Sequence, residues 1–414
     1  MVNKYVRRSL DTRRFFYGYI VIVASFCIFM VMYGTRFAFG VFFKPMLTDL
    51  VLTRAEISGA VSLSWIMQGL ASIAAGRVND NLGPRIVITA CGIILGLGCL
   101  LMSQISTLRQ LYLFYGVVIG VGMGGSFVPL TSTVARWFAK RRSMMTGIVL
   151  AGNGIGILLG PLLATWLISR YEWRLSYIII GSIALVAIIL LAQLLRRDPA
   201  QVGQMPYGEN KDAKQVLKPA TKAFPIKEAV YTRQFWLLSG MSLCLGFSLQ
   251  AILVHIVPHA TDLKISAINA ANILAAIGGV SVIGRFLLGS AGDRIGNRQV
   301  FIIGFALMAA SLLWLVSATE VWALFLFAAV FGFAIGGCVT SPPTLVAKLF
   351  GLNSHGLILG FTSLGFCLGG AAGPFVAGYI FDMTNSYQNF FVICAAVSVI
   401  GLILTVLLTP PKTR

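Results

Sequence analysis

Charge is the first thing this chain lacks. Lys, Arg, Asp and Glu make up 11% of its 414 residues, against about 25% in soluble domains. Hydrophobic residues take 57%. A water-soluble fold of this length needs a charged surface that such a composition cannot supply. What remains is a polytopic helical membrane protein with the lipid bilayer as its partner. Acidic residues are scarcer still: 13 against 32 Lys and Arg, all in tails, loops or span ends. The resulting charge of +19 forms no single patch, so no nucleic-acid partner is expected. There are three histidines, each near a span end, so no transmembrane haem or redox set can be assembled. Walker and HExxH motifs are missing. Neither an enzyme nor a cofactor or metal is expected. The seven cysteines (Cys27, Cys91, Cys99, Cys244, Cys338, Cys367, Cys394) lie in apolar runs without metal-ligand spacing. They read as small hydrophobes in helix packing. No cleavable signal peptide is expected, because the first apolar run is too long for one.

The chain is rich in apolar runs long enough to cross a bilayer, about 20 residues each. Twelve are expected, near 16–43, 55–77, 85–104, 110–136, 143–168, 175–195, 235–260, 267–289, 299–318, 321–349, 355–380 and 387–409. The only long polar segment, residues 196–234, falls between the sixth and seventh and carries eight Lys or Arg. The expected organisation is a six-helix bundle over 1–195, a linker over 196–234 and a second six-helix bundle over 235–414.

The two parts repeat. Gly76, Asp80, Gly83 and Arg85 match Gly289, Asp293, Gly296 and Arg298 at an offset of 213. Gly147, Gly160 and Pro161 match Gly360, Gly373 and Pro374 at the same offset. Gly120, Gly124, Gly125 and Phe138 match Gly332, Gly336, Gly337 and Phe350 at 212, with Arg136 opposite Lys348. Six helices per repeat is an even number, so the repeats run parallel. With an inside N-terminus the inner tails and loops hold 24 Lys and Arg and the outer loops six. By the positive-inside rule both termini and the linker are cytoplasmic, which suits an inner or plasma membrane.

Arg285 stands out. It lies inside the apolar run Ile273 to Leu288, where an Arg costs roughly 2.5–3.5 kcal/mol on insertion scales. No acid lies in mid-span to neutralise it. A guanidinium offers a planar fork that fits a carboxylate through two bonds, so Arg285 is the first candidate for binding an anion. Arg36 is a second in-span cation, toward the outer half, either contacting substrate or reaching the outer interface. Tyr33, Gln68, Tyr115, Asn153 and Gln250 lie near mid-span and could complete a pocket or bond between helices. His255 and His259, one turn apart and followed by Asp262, could form a titratable outer gate. Asp80 and Asp293 could cap a neighbouring helix or pair with its basic residues.

Two parallel six-helix repeats and twin GxxxDxxGxR stretches, GRVNDNLGPR and GSAGDRIGNR, resemble the major facilitator superfamily over essentially the whole chain. Residues 136–156, RWFAKRRSMMTGIVLAGNGIG, together with YEWR at 171–174 and YGTRFAFGVFFKP at 33–45, resemble the monocarboxylate transporters and the oxalate–formate antiporters. The resemblance implies substrate binding by Arg285 and, on the eleventh span, a pocket lined by Phe366 and Cys367. It implies conformational latching through Asp80, Arg85, Asp293 and Arg298. The antiporters' lysine on the eleventh span has no counterpart between Leu357 and Ile380, which argues against oxalate-like dianions. Ser281 stands where the monocarboxylate transporters carry an acid one turn before the arginine.

The expectation is a secondary active transporter, working as a monomer. Its substrates would be short-chain monocarboxylates such as lactate or pyruvate, moved with protons by alternating access. Carboxylate exchange and a carboxylate sensor without transport are the alternatives.

Overall fold

The computed structural model describes residues 16–50, 52, 54–208 and 226–409. The basic N-terminal tail and the middle of the expected linker, residues 209–225, lie outside them. Lipid offers backbone amides no partner, so an apolar run closes its hydrogen bonds internally as a helix. Among the described residues, twelve helices are long and apolar enough to span. They are α1 (Gly18–Leu50), α2 (Arg54–Leu82), α3 (Pro84–Met102), α4 (Leu108–Trp137), α5 (Arg142–Arg170) and α6 (Trp173–Ala192), then α7 (Arg233–Asp262), α8 (Ala267–Arg294), α9 (Asn297–Ser317), α10 (Val321–Phe350), α11 (His355–Thr384) and α12 (Gln388–Leu407). The described residues contain no strand, only an isolated bridge between Phe138 and Tyr207.

One expectation is corrected. The repeated charged stretches are not loops between spans. α2 continues to Leu82 and α8 to Arg294, so Asp80 and Asp293 are helical. The turns shrink to Gly83 and to Ile295–Gly296. Each glycine takes a positive φ, 86° and 97°, that a side chain would strain. α4 is also less regular than its apolar run suggests. It holds a π-helical segment, Tyr112–Ile119, and bends before Val128. Beyond that segment its glycines bring it close to its neighbours. A Cβ at Gly120 or Gly124 would meet the backbone of α2, and one at Gly122 the backbone of α3. Close approach of this kind is how helices pack in lipid.

Buried apolar side chains form two large clusters. One is built on α1–α6, the other on α7–α12 with Val128 of α4 reaching into it. The halves meet along two seams, α2 against α11 and α5 against α8. These seams are images of each other under the sequence repeat. At the end carrying Tyr17, Arg196 and Thr405, called the basic end below, the seams are closed by hydrogen bonds. Asp80 accepts from the amides of Gly356 and Leu357, both at 3.0 Å. Asp293 accepts from Ser143 at 2.9 Å and Met144 at 3.0 Å. Ser143 and Met144 lie 213 residues before Gly356 and Leu357, so the repeat holds at the level of single hydrogen bonds. In each case a carboxylate caps the first turn of a helix from the other half.

Candidate functional site

A cavity of about 1020 Å³, counting the space at its opening, lies between the halves and is lined from both. Its depth follows from helix geometry. On α8 it runs from Ile277 through Ser281 to Arg285, eight residues or roughly 12 Å at 1.5 Å rise. Arg285 therefore sits at the floor, toward the basic end. Below it the seam is tight: a Cβ on Gly147 would meet the Arg285 carbonyl, and Gly289 packs on Ser143. At the other extreme, a Cβ on Gly278 would meet nothing within 4 Å.

Arg285 is 5% exposed. Its Nη1 donates across the seam to the Leu150 carbonyl at 2.7 Å, and its buried Nε has no partner. No acid among the described residues pairs with it. The Leu150 bond holds the fork in place while leaving donors for a ligand. Two further buried polar atoms on the cavity wall lack partners, Asn153 Oδ1 and Ser363 Oγ.

Arg36 has a different fate. It is 4% exposed and does not reach the interface, nor is it part of the cavity wall. Its Nη1 donates to Gln68 Oε1 and its Nη2 to Ser64 Oγ at 3.1 Å. Its guanidinium lies over the Trp65 ring, 3.7 Å from the centroid. Gln68 and Trp65 do line the cavity, so Arg36 stands directly behind the wall. Arginine has no acceptor, so Gln68 must turn its oxygen toward Arg36. That turns the Gln68 amide nitrogen toward the Tyr33 hydroxyl on the cavity wall.

Of the other sequence candidates, Tyr33, Asn153, Gln68, Gln250, Phe366 and Cys367 line the cavity with Arg285. Tyr115 does not. Its ring packs 3.9 Å from that of Phe39 inside the first half. The reason is azimuth: α1 is hydrophobic all round, and its Phe29–Tyr33–Phe37 face turns to the seam while Phe39 and Phe42 turn inward. His255 lies apart from the cavity, with Nδ1 3.2 Å from the Tyr387 hydroxyl and Nε2 3.0 Å from the Pro374 carbonyl. His259 packs edge-on to Phe391 at 4.8 Å, and its Nε2 is buried without a partner. Asp262 is exposed.

The latch candidates divide. Asp80 and Asp293 bridge the halves. Arg85 instead donates to Gln193 at 2.6 Å, and Arg298 to the carbonyls of Thr405 and Val406, each within its own half. At the basic end Arg136 crosses the seam, donating to the Leu352 carbonyl at 2.7 Å while it meets Asp80 of its own half at 3.2 Å. His355 also bridges, between Ser132 Oγ at 3.0 Å and the Pro343 carbonyl at 2.8 Å. The sequence reading missed Trp65, Tyr387 and His355. Only Arg136 carried a signal, its register with Lys348.

The family model of the Major Facilitator Superfamily matches residues 25–290 and 237–414. "Monocarboxylate transporter 13" of Rattus norvegicus is 26% identical over 390 residues, covering 93% of this chain and 87% of the relative. "Uncharacterized MFS-type transporter YhjX" of Escherichia coli (strain K12) is 26% identical over 343 residues, covering 81% and 82%. Among solved structures, the human organic anion transporter MFSD10 (TETRAN) superposes with a TM-score of 0.72 over 94% of this chain and 99% of that one. At 15% identity that likeness bears on the fold alone.

Proposed function

The chain belongs to the Major Facilitator Superfamily, and on that premise we propose that it carries monocarboxylates across the membrane together with protons. The observation that carries the reading is Arg285. It is a buried cation with no acid beside it, held at the floor of a cavity between the halves with a donor left unbonded. A singly charged carboxylate is the ligand that completes such a group. The relatives named as monocarboxylate transporters support this choice, and lactate and pyruvate are the first acids to try.

The transport cycle is rocking of residues 1–195 against residues 235–414 around the cavity, with 196–234 as the linker. The excess of Lys and Arg at the basic end supports cytoplasmic termini in a plasma or inner membrane. Each half closes its own hydrophobic cluster, which supports a working monomer.

Proton coupling has two routes. The proton can travel with the substrate's carboxylate, or it can use the imidazoles of His255 and His259. Anion exchange is the second reading, because no carboxylate among the described residues lines the cavity. Purified protein in liposomes loaded with buffer alone, given labelled lactate or pyruvate and an inward proton gradient, tests the reading. Accumulation that a protonophore collapses is the expected result. Uptake that appears only with a counter-anion inside shows exchange. In the same assay Arg285→Lys should lower transport efficiency at least tenfold, about 1.4 kcal/mol, because a compact ammonium lacks the planar fork that fits a carboxylate through two bonds.

A further inference from the structure

The carboxylate needs only the floor of this cavity. Phe29, Tyr33 and Phe37 climb the wall at four-residue spacing on α1, their rings stacked at 5.6 Å and 6.3 Å. Phe127 packs edge-on to Phe29 at 6.4 Å. Across the seam, Trp65 meets Phe366 at 6.3 Å. These six rings line one space roughly 12 Å deep with a single cation at its base. A three-carbon acid bound to Arg285 would leave that wall wet.

The sequence repeat adds a second observation. Phe29, Phe37 and Phe366 stand 213 residues from Ser242, Gln250 and Asn153, and all six line the cavity. At three equivalent positions the site thus sets an aromatic ring of one half against a polar side chain of the other. A body with apolar faces and polar edges fits such walls. The charge inventory sets a further limit. Tyr33, Gln68, Asn153, Gln250 and Ser363 supply neutral contacts, and no acid among the described lining residues could balance an ammonium group.

We infer that the site selects monocarboxylates with a flat aromatic body and no amino group, in preference to three-carbon acids and to amino acids. This rests on the carboxylate reading above and narrows it. Affinity comes from burying the ring against the aromatic wall, and specificity from the single cation. An α-ammonium group would bring a second charge into the cavity with no acid among the described lining residues to pair it.

The test uses three acids that differ by one group each: pyruvate, phenylpyruvate and phenylalanine. Their binding to the full-length purified protein in detergent is read from the rise in melting temperature on titration. Their competition for labelled pyruvate uptake is then measured in proteoliposomes. Phenylpyruvate should bind at least tenfold more tightly than either of the others. In Phe37→Ala and Phe366→Leu the ratio of phenylpyruvate to pyruvate affinity should fall at least threefold, a readout that loss of folded protein does not change. Pyruvate binding as tightly as phenylpyruvate overturns the inference and leaves carboxylate transport standing. Phenylalanine binding as tightly overturns the exclusion of an ammonium. If no acid stabilises the protein and none is taken up, the carboxylate reading falls and this inference with it.

Discussion

Arg36 and Arg285 lie well away from the ends of their spans and meet opposite fates. Arg285 faces the cavity with an unbonded donor, while Arg36 spends both terminal nitrogens on Gln68 and Ser64 and its face on Trp65. On the proposed function, Arg36 would act on a ligand through Gln68, by fixing which end of that amide looks into the site. Gln68→Glu tests this. A carboxylate there would pair with Arg36, remove the N–H donor and set a like charge beside the substrate's own. The expected outcome is at least a tenfold loss of carboxylate affinity, about 1.4 kcal/mol, with folded protein recovered in normal yield. Unchanged affinity would show that Gln68 does not meet the substrate. Arg285 was legible in the sequence because a lone charge in an apolar run has few innocent explanations. The direction of Arg36 was not. Which face of α1 meets the seam is decided by packing, and α1 offers no polar stripe from which to read it. Tyr387 was illegible for another reason: it lies 132 residues from His255, and only the fold brings them together.

At the level of helices, composition and span length sufficed to find all twelve, because lipid leaves an apolar run no alternative. The ends were harder. The twin charged stretches looked like loops, yet only the glycines form turns, and the aspartates stay on the helices α2 and α8. That placement lets each carboxylate accept two amides at the start of α11 or α5. Asn in place of Asp keeps one acceptor oxygen, loses the charge and weakens a cap worth about 1 kcal/mol. Both caps cross the seam at the basic end, so the loss falls on the state in which that end is closed. Asp80→Asn and Asp293→Asn should leave carboxylate affinity within about threefold of the starting protein. Turnover should fall several-fold, and a cysteine placed at the basic end of the seam should become easier to alkylate. Asp80→Asn should be the more severe, because its carboxylate also carries the ion pair with Arg136. Loss of binding with the fold intact would remove the latch role from both.

The whole molecule is a duplication whose aspartate caps still match across the two seams, and its chemistry lies where the copies differ. The position equivalent to Arg285 is Ser72, whose hydroxyl only bonds the carbonyls of Gly69 and Gly360. One half therefore brings the free cation and the other the Arg36–Gln68 pair. A bound anion gives both halves a reason to close around it. What drives the cycle is a separate question, because no described lining residue is an acid that could take up a proton. Toward the opposite end, α7 and the residue before α12 bring together His255, His259 and Tyr387, with Asp262 close by. Burial, with Asp262 and Asp382 nearby, pushes the Tyr387 hydroxyl above its ordinary range, so it stays protonated and cannot titrate near neutrality. Asp262 is exposed and has no hydrogen bond to either imidazole in the structure. His255 has both nitrogens engaged, by Tyr387 and Pro374. His259 alone keeps a buried nitrogen unbonded, between the rings of Tyr387 and Phe391. If the imidazoles carry the proton, acid outside should speed uptake and His259→Ala should blunt that rise, with Asp262→Asn adding little. If the proton travels on the substrate's carboxylate, His259→Ala should leave the acid stimulation intact. Initial uptake rates of labelled pyruvate at external pH 5.5, 6.5 and 7.5, compared between the two proteins, separate the routes. A rate flat with pH in both would remove proton coupling altogether and leave exchange as the way the chain moves its anion.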